Sequence, residues 1–155
     1  MLLFALLLMM GSGCSKKSVG LQLTDPQAIT DNKLILDYLK ANKLKANHTA
    51  SGLYYIIEKE GSKEHPTAAN TVTCHYTGTL LNGKKFDSSV DRGKPLEFAL
   101  TRVIKGWTEG IPFIGKGGKG KLIIPSGLAY GTRAMGADIP ANSVLIFDVE
   151  LIDFK

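Results

Sequence analysis

Apolar and polar positions change their period twice along the chain. Leu2 to Met10 is an unbroken apolar run of nine residues. Further on, Ile29, Leu34, Ile35, Leu36, Tyr38 and Leu39 recur at helical spacing, with lysines at 33, 40, 43 and 45. Ahead of them, Thr24–Asp25–Pro26–Gln27 carries a helix-start signature, with proline in the first turn and Gln three residues after Thr. This predicts a helix ending near Leu44; Thr30–Asp31 is a second possible start. From Ser51 the period becomes two. Leu53, Tyr55 and Ile57 alternate with Tyr54, Ile56 and Glu58, and Val72, Cys74 and Tyr76 alternate with Thr71, Thr73, His75 and Thr77. Near the end, Leu145, Phe147, Val149 and Leu151 form one face while Asp148 and Glu150 point away. Leu96–Leu100 and Lys121–Ile124 are shorter strand candidates.

Period-two patterns of this kind mark antiparallel strands with one face on a core. The domain contains one short helical stretch, Gly106–Ile114, with Trp107 and Ile111 four apart on one face. The expectation is an α+β fold: a half-covered antiparallel sheet with one short helix on its buried face, preceded by an N-terminal helix. Four segments follow: a leader over 1–13, a tether over 14–23, a helical spacer or docking element over 24–50, and a folded domain over 51–155.

The leader is too short to span a bilayer as a permanent helix but suits a signal-peptide core. Gly11, Ser12 and Gly13 precede Cys14, and Ser15, Lys16 and Lys17 follow it. Small residues before a cysteine resemble a lipobox, which implies lipidation of Cys14 and anchoring in a membrane of the bacterial envelope. Gly11 in place of the usual Leu, and no Lys or Arg ahead of the apolar run, depart from that pattern.

Charge changes the picture little. The net +5 divides into 6 Lys/Arg against 3 Asp over residues 1–50 and 13 Lys/Arg against 11 Asp/Glu from Ser51 onward. Neither part holds a dense basic run with interleaved aromatics, so no nucleic-acid partner is expected. Mild attraction to an anionic lipid surface fits as well. The two cysteines form no disulfide framework, and Cys74, inside a strand pattern, reads as a buried inert thiol.

Several chemistries are excluded by inventory. Gly115–Lys121 matches G-x-x-x-x-G-K, but Leu122 stands where a phosphate loop needs Ser or Thr. The order is also wrong, because the segment before it is helical and the segment after it is a strand. The glycines read instead as a flexible turn. His48, His65 and His75 are far apart and lack ligand-like spacing, so neither a metal nor a cofactor is expected. No serine sits in a nucleophile elbow. What remains is a chain rich in aromatics at strand ends and poor in nucleophiles, which suits a pocket that binds and distorts.

Six ordered segments then become specific: 75–81 (HYTGTLL), 82–89 (NGKKFDSS), 103–110 (VIKGWTEG), 128–131 (LAYG), 139–144 (IPANSV) and 146–151 (IFDVEL). Together they resemble the successive signatures of FKBP-type peptidyl-prolyl cis/trans isomerases. The resemblance spans about residues 51–155. It implies a five- or six-stranded antiparallel sheet wrapped around the short helix, and acceleration of Xaa-Pro bond rotation in exported or envelope proteins.

Carried over position by position, it implies Asp87, Trp107 and Tyr130 as catalytic residues, Trp107 being the floor beneath the proline ring. Tyr76, Phe86, Phe98, Val103, Ile104, Ile139 and Phe147 would bind substrate. Proline-containing polypeptides are the implied partners, a macrolide a possible inhibitor, and a monomer the expected state. Replacing Asp87 or Trp107 should lower turnover without unfolding the domain. Leu96, Met135, Asp138 and Ala141 depart from common family residues, and the last three lie in the loop after Tyr130. That loop leaves open a second function, a non-catalytic FKBP-like chaperone or peptide-binding lipoprotein.

Overall fold

The structure is a computed structural model that describes residues 23–155. The apolar run, Cys14 and nearly all of the tether lie outside the described residues.

Helix α1 (Pro26–Ala41) opens with Asp25 as its cap, whose carboxylate accepts the Ala28 N–H at 2.8 Å. It closes three residues before the expected Leu44. Lys43 turns into the left-handed region (φ 54°), so that its N–H reaches the Lys40 carbonyl and the Leu44 N–H reaches that of Leu39. Those paired bonds form a Schellman cap, which stops the helix even without glycine.

Seven strands follow: β1 (Asn47–His48), β2 (Tyr54–Lys59), β3 (Thr71–Leu80), β4 (Lys85–Ser88), β5 (Leu96–Ala99), β6 (Lys119–Ile124) and β7 (Leu145–Phe154). They make one antiparallel sheet in the order β1-β2-β6-β7-β3-β4, with β5 also pairing β3. The count exceeds the expected five or six through β1, two residues long at the edge. β3 is the axis: β7 runs along it from Val72↔Phe154 to Leu80↔Leu145, and β5 and β4 pair successive stretches of it. Helix α2 (Lys105–Gly110) continues into a 3-10 turn over Ile111–Phe113.

Alternation along the strands sorts side chains between two apolar clusters. Leu53, Val72, Cys74, Tyr76, Leu122, Phe147, Val149 and Leu151 face α2 and bury Trp107 and Ile111 with them. Tyr54, Ile123 and Ile146 point the other way and meet Ile35 and Leu39 of α1. The sheet is therefore covered on both faces at its β2-β6-β7 end, not on one. Elsewhere its second face is polar, with Lys121 paired to Asp148, and Lys119 to Glu150 at 3.1 Å. Helix α2 comes close to the sheet because residue 106 lacks a side chain; a Cβ there would lie 2.4 Å from Ile124 Cγ2.

The glycine turn before β6 is bonded to two neighbouring segments, where the sequence suggested a free turn. Its backbone is tied to the chain after β2 by Ser62 N–H to the Lys116 carbonyl (2.8 Å) and Lys116 N–H to the Glu64 carbonyl (3.0 Å). It is tied to β7 by Gly117 N–H to the Leu151 carbonyl (2.7 Å). The backbones approach so closely that a Cβ on Gly61 would sit 2.3 Å from the Gly115 oxygen. No side-chain rotation relieves a clash with backbone. Gly61→Ala should therefore cost about 3 kcal/mol, the upper part of the range for overpacking. Urea denaturation of the two proteins checks this, and a midpoint unchanged by the substitution would contradict it.

Candidate active site

The concave face of the sheet, α2 and the long β6–β7 connection enclose a cavity of about 500 Å³. Tyr76 of β3, Phe86 and Asp87 of β4, and Phe147 of β7 supply one side. Val103 and Ile104 lead into α2, which brings Trp107, and Tyr130 and Ile139 come from the β6–β7 connection. All the candidate residues but Phe98 line this space. Phe98 packs instead against Trp107, ring centroids 4.9 Å apart. Leu96, Arg102, Met135 and Asp138 also line it.

Aromatic edges and faces hold the indole in place. Trp107 meets Tyr76 at 5.1 Å and 74° and Phe147 at 5.0 Å and 82°, and Phe86 meets Phe147 at 5.5 Å and 86°. These are edge-to-face geometries, which align ring quadrupoles favourably. The Trp107 indole nitrogen is buried and has no hydrogen-bond partner among the described residues.

A hydrogen-bonded polar cluster interrupts the aromatic wall at Asp87. The Tyr76 hydroxyl donates to Asp87 Oδ2 at 2.5 Å, Arg92 Nη1 pairs with Asp87 Oδ1, and Arg92 Nη2 donates to the Tyr76 hydroxyl at 2.9 Å. Burial pushes the Asp87 carboxyl up, but the bonds from Tyr76 and Arg92, the Arg92 charge and the Ser88 N–H outweigh it, leaving Asp87 below its ordinary 3.8. Burial, then the bond to Asp87, raises the Tyr76 phenol above 10.0. The pair is thus one carboxylate and one neutral phenol across the physiological range.

The pH dependence has a definite sign. The unfolded chain binds a proton at Asp87 near 3.8 and the folded chain only below that. The stability Asp87 contributes is complete above the unfolded value and is lost as pH falls through the folded one. Any activity that uses this pair should be flat from about pH 5 to pH 9. A rate profile titrating near neutrality would contradict the assignment.

Ser89, at the end of the 82–89 segment, holds Tyr76 from behind. Ser89, fully buried, accepts the Tyr76 N–H on its Oγ at 2.8 Å, and its own N–H donates to the Tyr76 carbonyl at 3.0 Å. His75 Nδ1 lies 3.0 Å from the same Oγ, a sheet histidine role. Cys74 is buried in the core, where desolvation pushes its thiol up to about 12.

The loop after Tyr130 forms the rim. Met135 and Ile139 bridge it, the Met135 N–H reaching the Ile139 carbonyl at 2.8 Å, and Asp138 pairs with Lys84 of the β3–β4 turn at 3.0 Å. The sequence reading had missed Arg92 and Arg102. Arg92 had a signal, since a carboxylate among apolar residues needs a polar partner. Only the turn after β4 shows which cation supplies it.

Residues 62–152, the stretch that contains the whole cavity wall, match the family described as FKBP-type peptidyl-prolyl cis-trans isomerase. The chain belongs to that family. It is 51% identical over 130 residues to the FKBP-type peptidyl-prolyl cis-trans isomerase FkpA of Aeromonas hydrophila, covering 83% of this chain and 48% of that protein. It is 52% identical over 107 residues to FkpA of Escherichia coli K12, covering 69% and 39%. The crystal structure of E. coli FkpA superposes with a TM-score of 0.73 at 46% identity, over 83% of this chain and 61% of that one. A peptidyl-prolyl cis-trans isomerase from Pseudomonas syringae pv. tomato superposes with a TM-score of 0.70 at 32% identity, over 86% and 99%. The chain spans about half the length of the curated FKBP relatives it matches. Its FKBP fold, an antiparallel sheet around a short helix, is the one the resemblance implied.

Proposed function

We propose that this FKBP-type chain accelerates cis/trans rotation about Xaa-Pro bonds in polypeptide clients, using the Trp107 cavity. The observation that carries the reading is a cavity floored by an indole and walled largely by aromatic and aliphatic side chains, with the Asp87 carboxylate held by Tyr76 and Arg92 and, among the described lining residues, no nucleophile–base pair. Such a site can bind and desolvate an amide; it has nothing with which to cleave one.

Rotation about the Xaa-Pro bond faces a barrier of about 18–20 kcal/mol because the amide is conjugated. Twisting localises the nitrogen lone pair and weakens the carbonyl dipole, so apolar surroundings favour the twisted amide over the planar one. Trp107, Phe86, Val103, Ile139 and Phe147 seat the prolyl ring and exclude water, and Phe98 supports the indole. The Tyr130 hydroxyl and the Ile104 N–H hold the substrate backbone. Asp87, kept ionised and oriented by Tyr76 and Arg92, faces the rotating carbonyl. Only the difference in binding between twisted and planar states accelerates the step, about tenfold for each 1.4 kcal/mol.

The test is the cis-to-trans rate of an Xaa-Pro peptide with the full chain in mild detergent, with and without an FKBP-directed macrolide. Acceleration suppressed by the drug supports both reaction and cavity. A folded protein that binds the peptide without accelerating it would replace the enzyme with a peptide-holding module.

The leader supports a location as well. An apolar run, small residues and Cys14 fit export and lipid anchoring to the bacterial envelope, where two acyl chains at roughly 0.8 kcal/mol per buried CH₂ give stable attachment. The chain would act there as a monomer on exported clients. Labelling of the intact chain with an alkyne fatty acid, lost in Cys14→Ser, tests the anchor; equal labelling of both would remove it.

A further inference from the structure

Asp31 lies in the middle of α1 and is fully buried. Both of its carboxylate oxygens are engaged. Oδ2 accepts the Ser126 N–H at 2.8 Å and the Ser126 hydroxyl at 2.6 Å, and Oδ1 accepts the Gln27 side-chain amide at 2.8 Å. The bonds to Ser126 cross 95 positions of sequence. A carboxylate is buried this way only where hydrogen bonds replace its water, so the contact is a specific one. The rest of α1 docks through Ile35 and Leu39, and through Asn32, whose side chain accepts from the Tyr54 hydroxyl at 2.7 Å.

Ser126 begins the 3-10 turn Ser126–Leu128 that leads directly into Tyr130. Its carbonyl accepts the N–H groups of both Ala129 and Gly131, each at 2.9 Å. Those two amides flank Tyr130 in the chain. One serine is therefore gripped from α1 on its N–H and hydroxyl, and through its carbonyl it fixes the backbone on either side of a cavity-lining tyrosine. Asp31 is not part of the cavity wall.

We propose that Asp31 is a positioning residue for Tyr130, so that docking of α1 sets the geometry of the isomerase cavity. The proposal rests on the isomerase reading and adds to it a residue outside the FKBP-matched segment. It assigns α1 a part in the reaction and separates Asp31 from Ile35, which holds the same helix through apolar packing alone.

The experiment compares Asp31→Ala, Asp31→Asn and Ile35→Ala in the full chain, each also in a Tyr130→Phe background. Asparagine keeps the shape and can still pair with Ser126. Asp31→Ala should lower kcat/KM about tenfold, Asp31→Asn should recover most of that, and Ile35→Ala should change it less than about twofold. In the Tyr130→Phe background, Asp31→Ala should add less than about twofold. Amide hydrogen exchange gives a readout independent of activity. The Ala129 and Gly131 amides should exchange at least about tenfold faster in Asp31→Ala and not in Ile35→Ala.

Equal losses in both Tyr130 backgrounds, an equal loss from Ile35→Ala, or unchanged exchange at those amides would each overturn the proposal. An unsubstituted chain without isomerase activity would sink the isomerase reading alone. The exchange measurement would then still decide whether Asp31 holds the Tyr130 segment.

Discussion

Asp87→Ala should lower kcat/KM for an Xaa-Pro peptide by about ten- to a hundredfold, with a melting temperature within about 4 °C of the unsubstituted protein. The two expectations have separate causes. Asp87 and its partner Arg92 both keep substantial solvent exposure, and ion pairs open to water in this way contribute little to stability. The carboxylate nevertheless stands in the cavity wall, held by Tyr76 and Arg92 at a fixed place against the substrate amide. Its removal also frees the Tyr76 hydroxyl to rotate, so the polar side of the cavity loses both its charge and its geometry. Protease-coupled peptide isomerisation and calorimetry on one preparation decide the matter. Parallel loss of activity and melting temperature would show that Asp87 serves the fold, not the reaction.

Trp107→Ala should behave in the opposite way, destabilising the domain by about 3–5 kcal/mol while abolishing activity. The sequence alone suggested that turnover would fall without unfolding. The structure changes that expectation, because the indole is only 6% exposed and packs against Tyr76, Phe98 and Phe147 at centroid distances of 4.9–5.1 Å. Truncation to alanine would leave a void that close-packed aromatic neighbours cannot fill by rotation. Urea midpoints measure the loss. Trp107→Phe, which keeps a ring over the same neighbours, should restore most of the stability. If Trp107→Ala left the midpoint unchanged, the indole would be a surface feature of the cavity and not a part of the core.

These two residues show why position in a motif does not reveal role. Both stand in family-like segments, and both line the cavity. Asp87 stands in a half-exposed part of the cavity wall where water can replace what is lost, whereas Trp107 is shared between cavity floor and hydrophobic core.

Alternation at Leu53–Ile57, Val72–Tyr76 and Leu145–Leu151 was legible because each strand has a face on the main core, and burial imposes a period of two. The cavity-lining residues were legible only through the resemblance of six ordered segments to the FKBP family. Helix α1 was legible in type but not in face. Ile29, Leu34 and Leu36 remain exposed, and the buried stripe is Asp31, Ile35 and Leu39. Hydropathy ranks an aspartate as an outward residue, and only Ser126 explains why it points inward. The glycine turn misled for a related reason. Glycine is needed both where backbone is free and where two backbones touch, and composition does not separate the two.

The strands on the main core and the short helix were thus legible from local periodicity, a property of neighbouring positions, and the residues around the cavity from the resemblance of six segments to the FKBP family. Tertiary structure alone decided the Arg92 clamp on Asp87, the Gly61–Gly115 contact and the grip of Asp31 on Ser126. Each depends on distances between chain segments that no local pattern encodes, and on burial that turns an ordinary polar or small residue into one with a single permitted partner.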